Sequence, residues 1–191
     1  MRAILLMHQL ESSTVSEAAR SLSLSIVPTR ENSVSPTWWW FEVFGIKVYC
    51  YNFSWRRQAI AHHDLHHILT GCPLTLLGEM QVATWEYAAG RYRNVFANLF
   101  CLPLVALGCI VAPNAVWSAF RHGRRSLSLF ATPITPDLLG LRVEELQARF
   151  TNRRPAQPVW LDLALFAGLV GLSALSIVGP IGIAWLLVTS L

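Results

Sequence analysis

Residues 55–90 read WRRQAIAHHDLHHILTGCPLTLLGEMQVATWEYAAG, and the fold turns on this stretch. It divides into two helical halves. The first helix is predicted over about residues 54–70, with Ser54 as its N-cap. Gly71 follows where a left-handed C′ residue is wanted. Pro73 suits the first turn of a second helix, which runs to about Ala89 and stops at Gly90. So short a connection makes the two helices antiparallel neighbours.

The ionisable groups concentrate on this hairpin. At roughly 100° per residue, His63, Asp64 and His67 fall within an arc of roughly 100° on the first helix. His63 and His67 lie one above the other, as i and i+4 positions do. Measured from the turn, His67 stands roughly 6 Å up the first helix and His63 roughly 12 Å. Glu79, counted from Pro73, stands roughly 9 Å up the second, at a level between them. If Glu79 faces the first helix, two imidazoles and two carboxylates converge, a set that suits Zn²⁺, Fe²⁺ or Mn²⁺. Burying Asp64 and Glu79 in so apolar a region is costly without a cation. An Asp–His network without metal is the alternative. His62 and His66 form a competing i, i+4 pair and are read as supporting or surface groups. Glu86, seven residues after Glu79, shares its face, either as a partner of the ligands or as an ordinary polar position.

Composition bounds the setting. A chain of 191 residues fits one domain with a tail. Hydrophobic residues make up 53% and charged residues 14%, with a mean hydropathy of +0.42, which is unusual for a free cytosolic enzyme and points to membrane contact. The net charge of +4 comes without a basic stripe interleaved with aromatics, so anionic lipid is expected as its partner and nucleic acid is not. Cys50, Cys72, Cys101 and Cys109 form no CxxC pair and read as buried thiols, not as a disulfide framework.

From residue 159 to 191 the only charged residue is Asp162. A crossing helix needs about 20 apolar residues, so one span fits and two do not. Gly179 and Pro180 interrupt the run and leave a kinked helix or a shallow hairpin open. Every Lys and Arg precedes residue 155, and Arg142, Arg149, Arg153 and Arg154 stand just ahead of the run. The positive-inside rule then places residues 1–154 on the cytoplasmic side of a bacterial inner membrane. A second apolar run, 95–117, contains Asn98, Pro103, Pro113 and Asn114. Spanning there would put basic residues on both sides of it, so it is read as buried in the domain or dipped into one leaflet.

The expected organisation is a weakly ordered arm over 1–35 with one short helix at 15–24, a helical domain over 36–154, and a membrane segment over 155–191. Glu11, Glu17 and Glu31 argue against a transit peptide in the arm. Trp38, Trp39 and Trp40, beside Phe41 and Phe44, suggest an interfacial anchor or the mouth of a lipid pocket, with core packing as the alternative. The fold class is all-α: a compact helical domain with a metal-bearing hairpin and a C-terminal hydrophobic helix.

His63-Asp64-x-x-His67, eleven further residues and then Glu79 resembles the signature of the Coq4 family of ubiquinone-biosynthesis proteins. The likeness extends to the Thr-Gly after the last histidine and the Leu-Gly-Glu at the distal ligand. It continues in Ala119-Phe120-Arg121-His122-Gly123-Arg124-Arg125 and in Val143-Glu144-Glu145-Leu146, covering roughly residues 38–150. The resemblance implies an all-helical domain with a cavity for an isoprenoid tail. It also implies a divalent metal, usually zinc, at His63, Asp64, His67 and Glu79. The implied chemistry is oxidative decarboxylation at ring C1 of a prenylated aromatic acid, with an organising role in a multi-protein biosynthetic complex; quinone-biosynthesis proteins and a second copy in a homo-oligomer are the partners expected. The doubled histidines and the long apolar C-terminus depart from the common pattern, which leaves the quinone or other isoprenoid lipid open.

Glu86, Arg121 and Arg124 are the candidate catalytic groups. The arginine cluster, with Arg125, either holds an anionic head group or anchors the chain on a membrane surface. Zinc is redox-silent, so an oxidative reaction calls for iron, manganese or direct attack of dioxygen on the ring. No nucleotide cofactor is expected, because the glycines at 168 and 171 lack a strand–turn–helix setting. An enzyme is favoured by an open metal position facing an apolar tunnel. A non-catalytic lipid-binding scaffold is favoured by a closed four-ligand site. A metal-dependent lipid hydrolase would lack a general base beyond Glu86.

Overall fold

A computed structural model of the chain describes residues 12–22, 38–43 and 46–189. The elements in chain order are α1 (Val15–Ser21), β1 (Trp38–Val43), β2 (Ile46–Tyr51), α2 (Ser54–Thr70), α3 (Leu76–Ala89), α4 (Val95–Val111), α5 (Pro113–Arg125), α6 (Pro136–Gly140), α7 (Val143–Phe150) and α8 (Val159–Thr189). The expected all-α fold forms, with one antiparallel strand pair added to it.

That pair joins Trp38 to Tyr51 and Val43 to Ile46 at its two ends. The run is dense in aromatic and β-branched residues, which favour a pleated strand. Trp38 is exposed and meets Tyr51 edge-on at 5.8 Å. The side chains of Trp39, Trp40 and Phe41, and all of Phe44, lie outside the described residues, and so do residues 1–11 and 23–35 of the expected arm.

The helix expected at 15–24 forms as α1 and is shorter. Thr14 caps it, and Glu17 completes a capping box. Val15, Ala18 and Ala19 are fully buried. The N–H of Val15 reaches Leu141 O at 2.9 Å, and that of Val143 reaches Ser13 O at 3.0 Å. These bonds and that burial make α1 part of the helical domain, on the far side of the boundary expected at residue 35.

The helical hairpin of α2 and α3 forms with small shifts at its ends. Phe53, not Ser54, takes the N-cap position of α2 and makes no side-chain capping bond. Gly71 is left-handed at φ 70°, as expected. Pro73 lies before α3 and not inside it, because the Thr75 side chain caps the helix by accepting from Gly78 N at 3.2 Å. The turn folds back so tightly that a Cβ on Gly78 would sit 1.8 Å from Pro73 O. Only glycine admits that approach.

One core joins α1, α2, α3, α6 and α7 through Val15, Leu65, Leu69, Trp85, Leu138, Val143 and Leu146. Each large apolar side chain buried there contributes about 1.5–3 kcal/mol. The other side of α3 packs against α4 and α5. The apolar run 95–117 is split at Ala112, where Pro113 opens α5. α4 buries Leu102, Val105 and Ala106 while Val95, Phe96, Leu99, Leu107 and Ile110 remain exposed.

α8 is one continuous helix through Gly179 and Pro180, so the hairpin alternative does not form. Its stretch Val159–Gly179, 21 residues with a mean hydropathy of 2.1, is long and apolar enough to cross a membrane. α8 packs against α4, and its Asp162 is pinned to the end of α5 by Arg124 Nε at 3.1 Å. Cys72, Cys101 and Cys109 are free, half-buried thiols.

Candidate metal centre

Three of the four expected ligands converge. Ligand atoms of His63, His67 and Glu79 all lie within 4.8 Å of one another. The two imidazole Nε2 atoms are 3.3 Å apart. Glu79 Oε2 is 2.9 Å from His63 Nε2, and Oε1 is 3.2 Å from His67 Nε2. A tetrahedral ion with bonds of about 2.0–2.1 Å spaces its ligand atoms roughly 3.3 Å apart. The donor set therefore fits a divalent metal in both chemistry and spacing.

The far edges of both rings are anchored. His67 Nδ1 donates to Cys72 O at 3.1 Å, so Nε2 is the ring atom turned to the centre. His63 Nδ1 lies 3.0 Å from Glu86 Oε1. The same oxygen takes His66 Nδ1 at 2.7 Å, and His66 Nε2 accepts the N–H of Leu129 at 2.9 Å. That backbone donor fixes the tautomer of His66 and makes its Nδ1 the donor to Glu86. A metal-binding histidine commonly gives its other N–H to a carboxylate, which orients the ring and raises its basicity. Glu86 holds that position for His63.

The electrostatics match a cation site. Burial alone would lower the His63 pKa, but Glu86 and Glu79 outweigh it and raise it to about 10. Burial would raise both carboxylates, yet their histidine partners hold Glu79 and Glu86 down at about 2. Burial keeps the His66 pKa below its ordinary value.

Asp64 lies outside the converging group. The helix explains this. Taking His63 as zero, His67 lies at roughly +40°, His66 at roughly −60° and Asp64 at roughly +100° around α2. The face turned to α3 centres on His63, so His66 comes in and Asp64 stays at the flank. His62 sits at the opposite flank, where its ring nitrogens face Gln58 O at 2.8 Å and Thr132 O at 3.0 Å. The role of Glu86 was partly legible in its seven-residue spacing from Glu79. His66 reads in the sequence as a supporting or surface group, and its i+3 spacing from His63 is a signal that permits its place beside Glu86 without fixing it.

The centre opens onto a cavity of about 260 Å³ between α2, α3 and α4. His63, Glu79 and Glu86 form its polar end, and Trp55, Ile60, Tyr87, Ala97, Leu104 and Phe130 are among its other walls. Glu86 is only 5% exposed. Arg121 and Arg124 do not line this cavity. Their guanidinium Nε atoms face Asp162 at 3.7 and 3.1 Å, at the C-terminal end of α5. The reading of these arginines as groups at the reacting centre is therefore not what the fold builds.

No family model, curated protein or solved structure matches this chain.

Proposed function

We propose that this chain is a membrane-associated, metal-dependent enzyme acting on a prenylated aromatic acid in the biosynthesis of ubiquinone or a related quinone. The likeness of His63-Asp64-x-x-His67 and Glu79 to the Coq4 signature supplies the substrate class. The observation that carries the reading is that His63 and Glu79 belong both to the ligand group and to the wall of an apolar cavity. A scaffold metal is closed by four protein ligands, whereas three ligands beside a cavity leave a position for a substrate oxygen.

A divalent metal bound here supplies Lewis acidity to a carboxylate or phenolate oxygen. The chain's own residues do the rest. Trp55, Ile60, Leu104 and Phe130 exclude water and receive the apolar part of the substrate. Glu86 holds the His63 ring with Nε2 turned to the centre. Among the groups at the polar end, Glu79 and Glu86 are the carboxylates able to hold or move a proton. α8 keeps the cavity at the bilayer, where a prenylated substrate resides. The distribution of Lys and Arg favours a bacterial inner membrane with residues 1–154 on the cytoplasmic side.

The test is the quinone profile of a strain lacking this gene, complemented with the wild type or with Glu79→Ala. The expected result is a carboxylated prenylated precursor that disappears only with the wild type. A normal quinone profile in the deletion strain would overturn the reading. Metal analysis of Asp64→Asn separates enzyme from scaffold. Retained metal is expected for an open three-ligand centre, and an emptied centre would mark a closed four-ligand one.

A further inference from the structure

α5 ends in His122, Arg124 and Arg125, with Arg121 just before them. Beside these residues lies a second cavity of about 360 Å³, lined by Trp117, Ser118, Arg121, His122 and Arg125 of α5 and by Asn152. It shares no lining residue with the metal cavity. Main-chain bonds fix its walls. Leu127 N donates to Phe150 O at 2.8 Å, and Arg154 N donates to Arg125 O at 2.9 Å. Asn152 turns the chain at φ 51°, a left-handed conformation that asparagine tolerates better than most residues. This turn brings the segment carrying Arg153 and Arg154 against the end of α5.

The charge at this groove is one-sided. Asp162, 3% exposed, is the acid that meets the arginines here, taking Arg124 closely and Arg121 more loosely. The Arg121 guanidinium also lies over the Trp117 ring, 5.9 Å from its centroid. Arg125 is exposed. Burial and then the neighbouring Arg125 lower the His122 pKa, so His122 lines the groove as a neutral ring. The arginines therefore outnumber the carboxylate that meets them.

The position along α8 identifies the anion. Asp162 is in the first turn of α8, at the start of the apolar stretch Val159–Gly179. Trp160, 70% exposed, stands at the same end, as tryptophans do at the border of lipid and water. The groove thus lies level with the headgroup layer of any bilayer that α8 crosses. We infer that the groove formed by Arg121, Arg125 and Asn152 binds the phosphate headgroup of an anionic phospholipid. The inference rests on the reading of α8 as a membrane span. Guanidinium groups match phosphate oxygens in a planar fork, and each arginine near an anionic surface contributes about 1 kcal/mol, or roughly fivefold in affinity.

The test uses the full-length protein, assembled into nanodiscs and also titrated in detergent with phosphatidylglycerol or phosphatidylcholine. Bound lipid is counted by native mass spectrometry. Wild-type protein is expected to retain phosphatidylglycerol over phosphatidylcholine. Arg121→Gln with Arg125→Gln should cut that preference by roughly 25-fold, about fivefold for each arginine. Lysine at both positions should restore part of it, and Arg20→Gln with Arg91→Gln, which removes the same charge elsewhere, should leave it intact. An unchanged preference in the first double variant overturns the inference. Displacement of the lipid by equimolar inorganic phosphate overturns the lipid assignment in favour of a free phosphate. Failure to enter nanodiscs of either lipid overturns the span itself, and is distinct because insertion is lost and not selectivity.

Discussion

His63 Nδ1 lies 3.0 Å from Glu86 Oε1, and that one oxygen also takes His66 Nδ1 at 2.7 Å. A buried carboxylate shared by two rings sets the angle at which His63 presents Nε2. Glu86→Gln keeps the size of the side chain and removes its charge. Metal affinity should fall about 10–100-fold, measured by competition with a chromophoric chelator. An unchanged affinity would reduce Glu86 to a packing role.

The converging ligands should act together. His63→Ala, His67→Ala and Glu79→Ala should each empty the centre, while His62→Ala should not, because the His62 ring nitrogens face the Gln58 and Thr132 carbonyls. Elemental analysis of the purified variants reads this directly. Full occupancy in Glu79→Ala would reject the ligand set.

The metal-free protein should have a narrow pH window of stability. Glu79 and Glu86 fall from an ordinary 4.5 to about 2, so their contribution is present above 4.5 and is lost as pH drops towards 2. His63 rises from 6.5 to about 10, so its contribution is present below 6.5 and is lost as pH climbs through 10. Burial keeps His66 neutral with a lowered pKa, so its contribution is lost as pH falls below 6.5. Thermal melts in the presence of a chelator should therefore peak near pH 6.5 and decline on both sides. Added metal should remove the alkaline loss, since it takes the neutral imidazole. Identical profiles with and without metal would contradict the site.

Gly78→Ala should damage the hairpin. Its Cβ would fall 1.8 Å from Pro73 O, a backbone atom that cannot swing aside. The cost should be about 1–3 kcal/mol or more, read as a lower melting temperature together with poorer metal retention, because Glu79 is the next residue. A variant as stable as the wild type would mean that the turn relaxes freely.

Leu172 is exposed on α8 within the apolar stretch. Leu172→Arg should disfavour membrane insertion by about 2.5–3.5 kcal/mol, the cost of a central arginine. Carbonate extraction of membranes would show the variant shifting to the supernatant. Full retention would place the anchor elsewhere.

The helical hairpin was legible because its signals are local. Gly71, Gly90 and the i, i+4 pair of His63 and His67 act within a few residues of backbone. The strand pair at 38–51 was not expected, because its tryptophans read as an interfacial anchor, the mouth of a lipid pocket or core packing, although aromatic and β-branched residues favour a strand. The apolar character of 159–191 followed from composition alone.

The assignment of partners was another matter. From Asp64, His66 and Glu86 no helical period can tell which groups reach the centre, because the rotation of α2 about its axis is set by packing against α3. That rotation brought His66 in and left Asp64 at the flank. Likewise Arg121 and Arg124 are drawn to Asp162, thirty-eight residues beyond Arg124 in the chain, and only the docking of α8 on α5 could decide it. Sequence by itself determined which helices form and where the chemistry-bearing residues sit along them. The tertiary structure decided which of those residues meet, since contact depends on how neighbouring helices turn their faces.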